Sequence, residues 1–192
     1  MNKTEKVGIF IDGSNLYYKL KDKEIILENT AKFNFFEFAK WLARDRKIVF
    51  RSYYIGVVRA KSDDAKAQKM RRRQQQLFSH LMSKKQGFEI KRGFMMKNDD
   101  GIYHEKGVDV HLATDLLVGA YENLWDTAIL VSSDTDLIPA IEKVKKLGKN
   151  VEYIGFAHKP SLGLQRYANI SRLLIKDEIK VFEYKSDLNR ET

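Results

Sequence analysis

The chain has 192 residues, of which 43% are hydrophobic and 32% are charged, and it contains no cysteine. This composition excludes a largely disordered chain, a disulfide framework and a thiolate metal site, and the length predicts a single domain over residues 1–192 with a short charged tail from about residue 180. The net charge of +9 favours contact with a polyanion such as nucleic acid, although a generically basic protein would carry the same charge.

Short apolar runs alternate with helical patterns along the chain. The predicted strands are VGIFID (7–12), IVFRSYYIG (48–56), AILVSSD (128–134) and VEYIGF (151–156), with weaker candidates at FEIKRGF (88–94) and RLLIK (172–176). The predicted helices are FNFFEFAKWLAR (33–44), DAKAQKMRRRQQQLFSHLMSKKQG (64–87), VDVHLATDLLVGAYENL (108–124) and DLIPAIEKVKKLGKN (136–150). Because strands that are apolar on both faces and separated by helices form parallel sheets covered on both sides, we expect an α/β fold of three layers.

Two predicted strands end in aspartates that precede a helix. Asp12 ends the first strand, Asp134 ends AILVSSD, and Asp136 lies two residues further on. The carboxyl ends of parallel strands form one edge of the sheet, where ligands bind, so we expect these carboxylates to face a common rim. Two carboxylates about 4 Å apart repel by about 4 kcal/mol unless a cation lies between them. A single Asp before a helix is, however, more often an N-cap than a catalytic residue.

A third acid, Asp109, lies near the start of the predicted helix over 108–124. It falls on the apolar stripe of that helix, where a charge is costly unless it reaches a cleft, a partner or a metal. Asp115 falls on a different face, where it is either solvated, paired with His111 or a second candidate for the site. Lys106 is either a surface lysine or a phosphate contact.

These acids supply oxygen ligands only. The absence of cysteine and the scatter of the four histidines disfavour zinc, whereas carboxylates suit a hard cation such as Mg²⁺ or Mn²⁺. A magnesium ion held by carboxylates keeps several waters and meets substrate phosphate, which suits it to phosphodiester cleavage. The sequence therefore predicts a Mg²⁺ or Mn²⁺ site formed by the aspartates.

Three blocks of the chain resemble a known family. FIDGSNL (10–16), KGVDVHLATDLL (106–117) and VSSDTDLIPAIEKVKKLGKNV (131–151) are similar to the NYN domain, LabA-like branch of the PIN-like nuclease superfamily. The resemblance extends from about residue 6 to about residue 175. It implies a Rossmann-like PIN fold with a mainly parallel central sheet, and metal-dependent cleavage of RNA to 5′-phosphate and 3′-hydroxyl products.

The resemblance also assigns roles to single residues. It places Asp12, Asp109, Asp134 and Asp136 on the acidic metal-binding positions of the family, and Asn15 on the asparagine beside the first aspartate. Taken alone, Asn15 is either an amide that binds a carboxylate or substrate, or an ordinary turn residue.

Two positions depart from the family pattern. Ser132 and Ser133 stand where the family commonly has Ser-Gly, and Glu37 is the only acid near the second helix, where many PIN proteins have one.

The predicted helix over 64–87 carries a basic face. The candidates for nucleic-acid contact on it and just before it are Arg59, Lys61, Lys66, Lys69, Arg72 and Arg73. Contacts to phosphate position a nucleic acid without reading its sequence. A charge run on a helix is also the ordinary pattern of a solvated face.

Three functions are compatible with these residues. The leading hypothesis is a Mg²⁺- or Mn²⁺-dependent endoribonuclease, and the non-enzymatic alternative is an RNA- or protein-binding NYN module. A phosphatase of the haloacid dehalogenase type would use Asp134 as its nucleophile, but it leaves Asp12 and Asp109 without a role.

The sequence also bears on a nucleotide cofactor, a membrane and a second copy of the chain as partners. No glycine-rich phosphate loop is present, so no nucleotide cofactor is expected. The apolar run before Asp12 is too short for a signal peptide, and no stretch approaches the roughly 18 apolar residues that cross a bilayer. We therefore expect a cytoplasmic protein without a membrane partner. A homo-oligomer is compatible with the sequence.

Overall fold

The computed structural model of the protein describes residues 4–27, 33–58, 64–97 and 103–184. Seven strands form one sheet: β1 (Lys6–Asp12), β2 (Lys47–Val57), β3 (Glu89–Lys97), β4 (Tyr103–Lys106), β5 (Thr127–Val131), β6 (Asn150–Phe156) and β7 (Ile170–Leu174). Their order in the sheet is β4-β3-β2-β1-β5-β6-β7. Neighbouring strands are parallel except β4, which runs antiparallel to β3 at one edge. The predicted mainly parallel α/β sheet is confirmed.

Helices cover both faces of this sheet. They are α1 (Gly13–Lys21), α2 (Phe35–Ala43), α3 (Ala65–Leu81), α4 (Val108–Tyr121), α5 (Ile138–Lys146), α6 (Leu162–Tyr167) and α7 (Lys176–Lys180), with a 3-10 turn at Thr135–Leu137 before α5. The sequence did not predict α6 and α7, because helices of six and five residues are too short to show a helical period. Among the described residues, no helix is long and apolar enough to cross a bilayer.

The central strand β1 contributes to two separate hydrophobic clusters. Ile9 and Ile11 pack in the cluster that includes side chains of α1, α2 and α3, whereas Phe10 packs in the cluster that includes side chains of α4, α5 and α6. All three are fully buried. Because successive side chains of a strand point to opposite faces, this explains why β1 is apolar throughout, and it confirms the three layers.

The structure differs from the prediction at the end of β5. The predicted strand reached Asp134, but pairing of β5 with both neighbouring strands ends at Val131. Beyond that residue, the side chains of Ser132 and Asp134 accept hydrogen bonds from main-chain N–H groups. These local bonds replace the sheet ladder and turn the chain into the 3-10 turn.

Arg46 attaches the end of α2 to the sheet. Its guanidinium donates to the main-chain oxygens of Leu42 at 3.0 Å and Ala43 at 2.9 Å. It also forms an ion pair of 2.7 Å with Glu152 on β6. Glu152 is only 4% exposed, so its charge depends on this partner.

Replacing Arg46 with alanine should strongly destabilise the protein. The change leaves the carboxylate of Glu152 buried without a cation, and we expect the free energy of unfolding to fall by about 3 kcal/mol. Urea denaturation measures this change. Lys40→Ala is the control, because its ion pair with Glu37 is about half exposed, and we expect a loss below about 1 kcal/mol. Equal losses in the two variants would contradict a special role for Arg46.

Candidate active site

The carboxyl ends of β1 and β5 lie side by side in the sheet. Ile11 pairs with Val131, so the residues that follow them, Asp12 and Ser132, are neighbours. The Ser132 hydroxyl donates to Oδ2 of Asp12 at 2.9 Å and accepts from the N–H of Asp134 at 3.1 Å. One buried serine therefore fixes the positions of both predicted strand-end aspartates relative to each other.

Asp12 is a buried acid with an unfavourable charge. Its side chain is 6% exposed, and its Oδ1 accepts the N–H of Asn15 at 2.9 Å, as the N-cap of α1. Burial raises the pKa of Asp12 to about 6; the bonds from Asn15 and Ser132 lower it, and the carboxylates of Glu105 and Asp109 raise it further. Within the described part of the chain, no lysine or arginine forms an ion pair with Asp12.

Gly13 allows α1 to begin directly after Asp12. A Cβ at this position would lie 2.2 Å from the ring of Tyr53, and the Tyr53 hydroxyl donates to the Gly13 main-chain oxygen at 3.2 Å. A larger residue would therefore displace Asp12 from its place beside Ser132.

Asp109, in the first turn of α4, lies near enough to Asp12 to influence its charge. Partial burial raises the pKa of Asp109, and so do the carboxylates of Asp134, Glu105 and Asp136. Acids from β1, β4, α4 and the loop after β5 thus lie near enough at this edge of the sheet for their charges to influence Asp12 or Asp109. We call this group the acidic rim: Asp12, Glu105, Asp109, Asp134 and Asp136.

Asp134 is an N-cap, which is one of the two roles that the sequence left open. Its Oδ1 accepts the N–H of Asp136 at 2.9 Å and so caps the 3-10 turn. The charge of Asp134 also raises the pKa of Asp109. Asp136 is exposed to solvent at the outer side.

Glu105 lies at the acidic rim, although the sequence did not predict it. It is on β4, and its carboxylate accepts the N–H of Gly56 near the end of β2. A Cβ on Gly56 would lie 2.8 Å from this carboxylate, so the glycine makes room for it. The four residues of β4, YHEK, show no strand pattern, so the sequence does not place Glu105 in the sheet. Its position four residues before Asp109 was the only signal.

Asp115 lies away from the acidic rim. Its carboxylate accepts a hydrogen bond of 2.9 Å from the Tyr54 hydroxyl and lies 3.7 Å from the ammonium of Lys91. The pairing with His111 was therefore the wrong alternative. Asp115 connects α4 to β2 and β3 and has a structural explanation.

The other predicted residues lie around the acidic rim with different surroundings. Lys106 is exposed and directly follows Glu105 on β4. The Ser133 hydroxyl is buried and has no hydrogen-bond partner among the described residues. Glu37 forms its ion pair with Lys40 on the exposed side of α2, so the acid that supplements the predicted aspartates is Glu105.

The basic residues of α3 are exposed, which both a nucleic-acid contact and an ordinary solvated face predict. Lys66, Lys69, Arg72 and Arg73 all face solvent, whereas Arg59 and Lys61 lie outside the described residues. In the same helix, Gln74 donates to the Gly56 oxygen at 2.7 Å and accepts the Val58 N–H at 3.0 Å. These two bonds hold α3 against the end of β2.

The chemistry of the acidic rim suits a hard cation held partly through water. In the part of the chain that the structure describes, no three acidic or imidazole side chains surround one point closely enough to coordinate an ion together. Magnesium commonly takes one or two carboxylates and completes its shell with water and substrate oxygens, so three direct ligands are not required. The raised pKa values of Asp12 and Asp109 identify charges that a cation would stabilise.

The fold and the acidic rim define an α/β protein with a carboxylate site at the carboxyl ends of its parallel strands. The sequence matches the family model of the NYN domain over residues 6–173, and the chain belongs to this family. The NYN domain is part of the PIN-like nuclease superfamily, whose nucleases generally use divalent metals.

A solved structure supports the fold independently. The chain is similar to the crystal structure of a protein of unknown function, VPA0982, from Vibrio parahaemolyticus RIMD 2210633. The TM-score is 0.61 at 21% sequence identity, over 92% of this chain and 97% of the other. At this identity the likeness establishes the fold alone. No functionally curated protein matches the sequence.

Replacing Asp12 with asparagine should stabilise the metal-free protein. A carboxyl whose pKa rises from 3.8 to about 6 on folding costs native stability as the pH increases from about 4 through 6. In EDTA at pH 8, we expect a higher free energy of unfolding for Asp12→Asn, with an upper bound of about 3 kcal/mol, and a smaller gain at pH 4. Calorimetric melting at both pH values measures this.

The control is Asp45→Asn, because Asp45 is an exposed acid in the turn before β2 and its replacement should change stability little. Manganese should reduce the advantage of Asp12→Asn, since a ligand that binds the native carboxylate stabilises the native protein. A loss of stability in EDTA at pH 8 would contradict an unfavourable charge on the buried Asp12.

Proposed function

We propose that the protein is a LabA-like NYN endoribonuclease that hydrolyses RNA phosphodiester bonds with Mg²⁺ or Mn²⁺. The observation that carries this proposal is the acidic rim, in which acids from four parts of the chain face one another without an ion-pair partner among the described residues. Membership of the PIN-like nuclease superfamily supports a nuclease.

The proposed ligands are Asp12, Asp109 and Asp134, directly or through water, with Asp136 and Glu105 as outer acids. When bound, the cation would neutralise these carboxylates, polarise the scissile phosphate and lower the pKa of an attacking water. Attack of that water on phosphorus breaks the bond to the 3′ oxygen and leaves a 5′-phosphate and a 3′-hydroxyl.

Hydrogen bonds from Ser132 and Asn15 hold the proposed ligands in position. Ser132 holds Asp12 and Asp134 in register through its two hydrogen bonds, and the N–H of Asn15 fixes the second oxygen of Asp12. The side-chain amide of Asn15 makes no hydrogen bond with a described residue, so it is available to a phosphate oxygen. A preorganised site of this kind needs little rearrangement during the reaction.

RNA is the proposed partner because the chain carries a net charge of +9 despite its acidic rim. Four exposed cations of α3 are suited to backbone phosphates: Lys66, Lys69, Arg72 and Arg73. The last of these lies on the cleft beside the acidic rim.

The test is cleavage of an end-labelled single-stranded RNA by purified protein in Mg²⁺ or Mn²⁺. We expect EDTA to abolish cleavage, and Asp109→Asn and Asp134→Asn each to lower the single-turnover rate by about 100-fold or more, because groups that stabilise transition-state charge contribute on that order. Glu122→Gln, at the exposed far end of α4, is the control and should retain the native rate. Undiminished cleavage by Asp134→Asn would refute the proposed ligand set.

A non-catalytic RNA-binding module is the second candidate. It is favoured by the absence, within the described residues, of three acids that converge on one point. It predicts RNA binding with no product in Mg²⁺, Mn²⁺, Ca²⁺ or Zn²⁺. A phosphatase with Asp134 as its nucleophile is less well supported, because one oxygen of Asp134 caps the 3-10 turn and the other rim acids have no role in it.

A further inference from the structure

A cleft of about 470 Å³ lies between α1 and α3, next to the acidic rim. Tyr17 and Tyr18 of α1 form one wall, and Met70, Arg73 and Leu77 of α3 form the other. We call it the tyrosine cleft. It is open to solvent.

The tyrosine cleft and the acidic rim share a wall. Gly56 lines the cleft and donates its N–H to Glu105 of the rim. Ser14 also lines the cleft and lies two residues after Asp12. A nucleotide held in the cleft therefore has a phosphodiester within reach of the rim.

The two tyrosines are exposed to a degree that packing does not explain. Tyr18 is 72% exposed and Tyr17 is 39% exposed, and their ring centroids lie 5.6 Å apart in a T-shaped arrangement. Exposed aromatic rings beside a nucleic-acid site are platforms on which unpaired bases stack. The cleft is also lined by the apolar side chains of Met70 and Leu77, which add apolar surface for the face of a base.

Arg73 adds a positive charge to the same cleft. It is exposed and forms no ion pair with any residue that the structure describes. A guanidinium binds phosphate through two parallel hydrogen bonds. The cleft thus offers an aromatic surface and a phosphate partner together, which is the combination that single-stranded nucleic acid requires.

We propose that the tyrosine cleft binds an unpaired base of the RNA, stacked on Tyr17 or Tyr18 with its backbone phosphate at Arg73. The identity of the ligand rests on the proposed ribonuclease function. A base inside a duplex is stacked between its neighbours and cannot enter a cleft between two helices without leaving the stack. The site therefore takes a base from a single strand or a loop of the RNA.

The test is the affinity for a short fluorescent single-stranded RNA, measured by anisotropy in EDTA so that no cleavage occurs. We expect Tyr17→Ala and Tyr18→Ala each to weaken binding by about tenfold, because base stacking on one aromatic ring contributes on that order. The phenylalanine variants keep the ring and should bind within about twofold of the native protein. Arg73→Ala should weaken binding and lower its salt dependence.

The matched control is Tyr121→Ala on α4, because Tyr121 is 60% exposed but does not line the cleft. It should bind RNA as the native protein does. A duplex of the same sequence should bind about tenfold more weakly than the single strand. Crosslinking of a thiouridine-containing RNA should label the peptide that contains α1.

Two results would contradict binding of an unpaired base in the tyrosine cleft. The first is native RNA affinity in both Tyr17→Ala and Tyr18→Ala, and the second is equal affinity for the duplex and the single strand. Neither result concerns cleavage, which is measured separately with Mn²⁺ and Asp134→Asn. Conversely, single-strand binding that depends on the tyrosines, in a protein that cuts no RNA with any divalent ion, refutes the nuclease and retains the base site. Melting curves of the variants verify that each one is folded.

Discussion

The hydroxyl of Ser132 is the link on which the acidic rim depends. It connects the Asp12 carboxylate to the N–H of Asp134 across two adjacent parallel strands, in a place that is almost fully buried. A buried hydrogen bond between strand ends is rigid because the sheet holds both partners. The spacing of the two aspartates is therefore a property of the sheet, and Asp109 and Glu105 are added to it from α4 and β4.

The acidic rim places several carboxylates close together at one edge of the sheet. Burial is the main cause that raises the pKa of both Asp12 and Asp109, and neighbouring carboxylates raise it further: Glu105 and Asp109 for Asp12, and Asp134, Glu105 and Asp136 for Asp109. The structure tolerates this cost through fully buried strands such as β1 and through compensated charges such as Arg46 with Glu152. Charge that lowers the stability of the empty protein is expected where a ligand of opposite sign is to bind.

The end of β2 lies between the acidic rim and the tyrosine cleft. On one side the N–H of Gly56 holds Glu105 at the acidic rim, and on the other side the same residue lines the tyrosine cleft. The acidic rim and the tyrosine cleft are thus adjacent, and they are lined by different side chains. In the proposed function, aromatic and basic groups of the cleft hold the RNA while its phosphate lies beside carboxylates that would otherwise repel it.

The sequence by itself determined the features that depend on local patterns. The apolar runs of β1, β2, β5 and β6, the periodic helices between them and the strand-end acids Asp12 and Asp134 are all visible in short windows, because burial on a sheet and helix capping impose local rules. Only the tertiary structure decided the rest. The polar strand β4 forms because β3 offers it an edge, and this pairing brings Glu105 to the acidic rim. In the same way Asp115 faces Lys91 because α4 packs on β3, and no spacing along the chain encodes that distance.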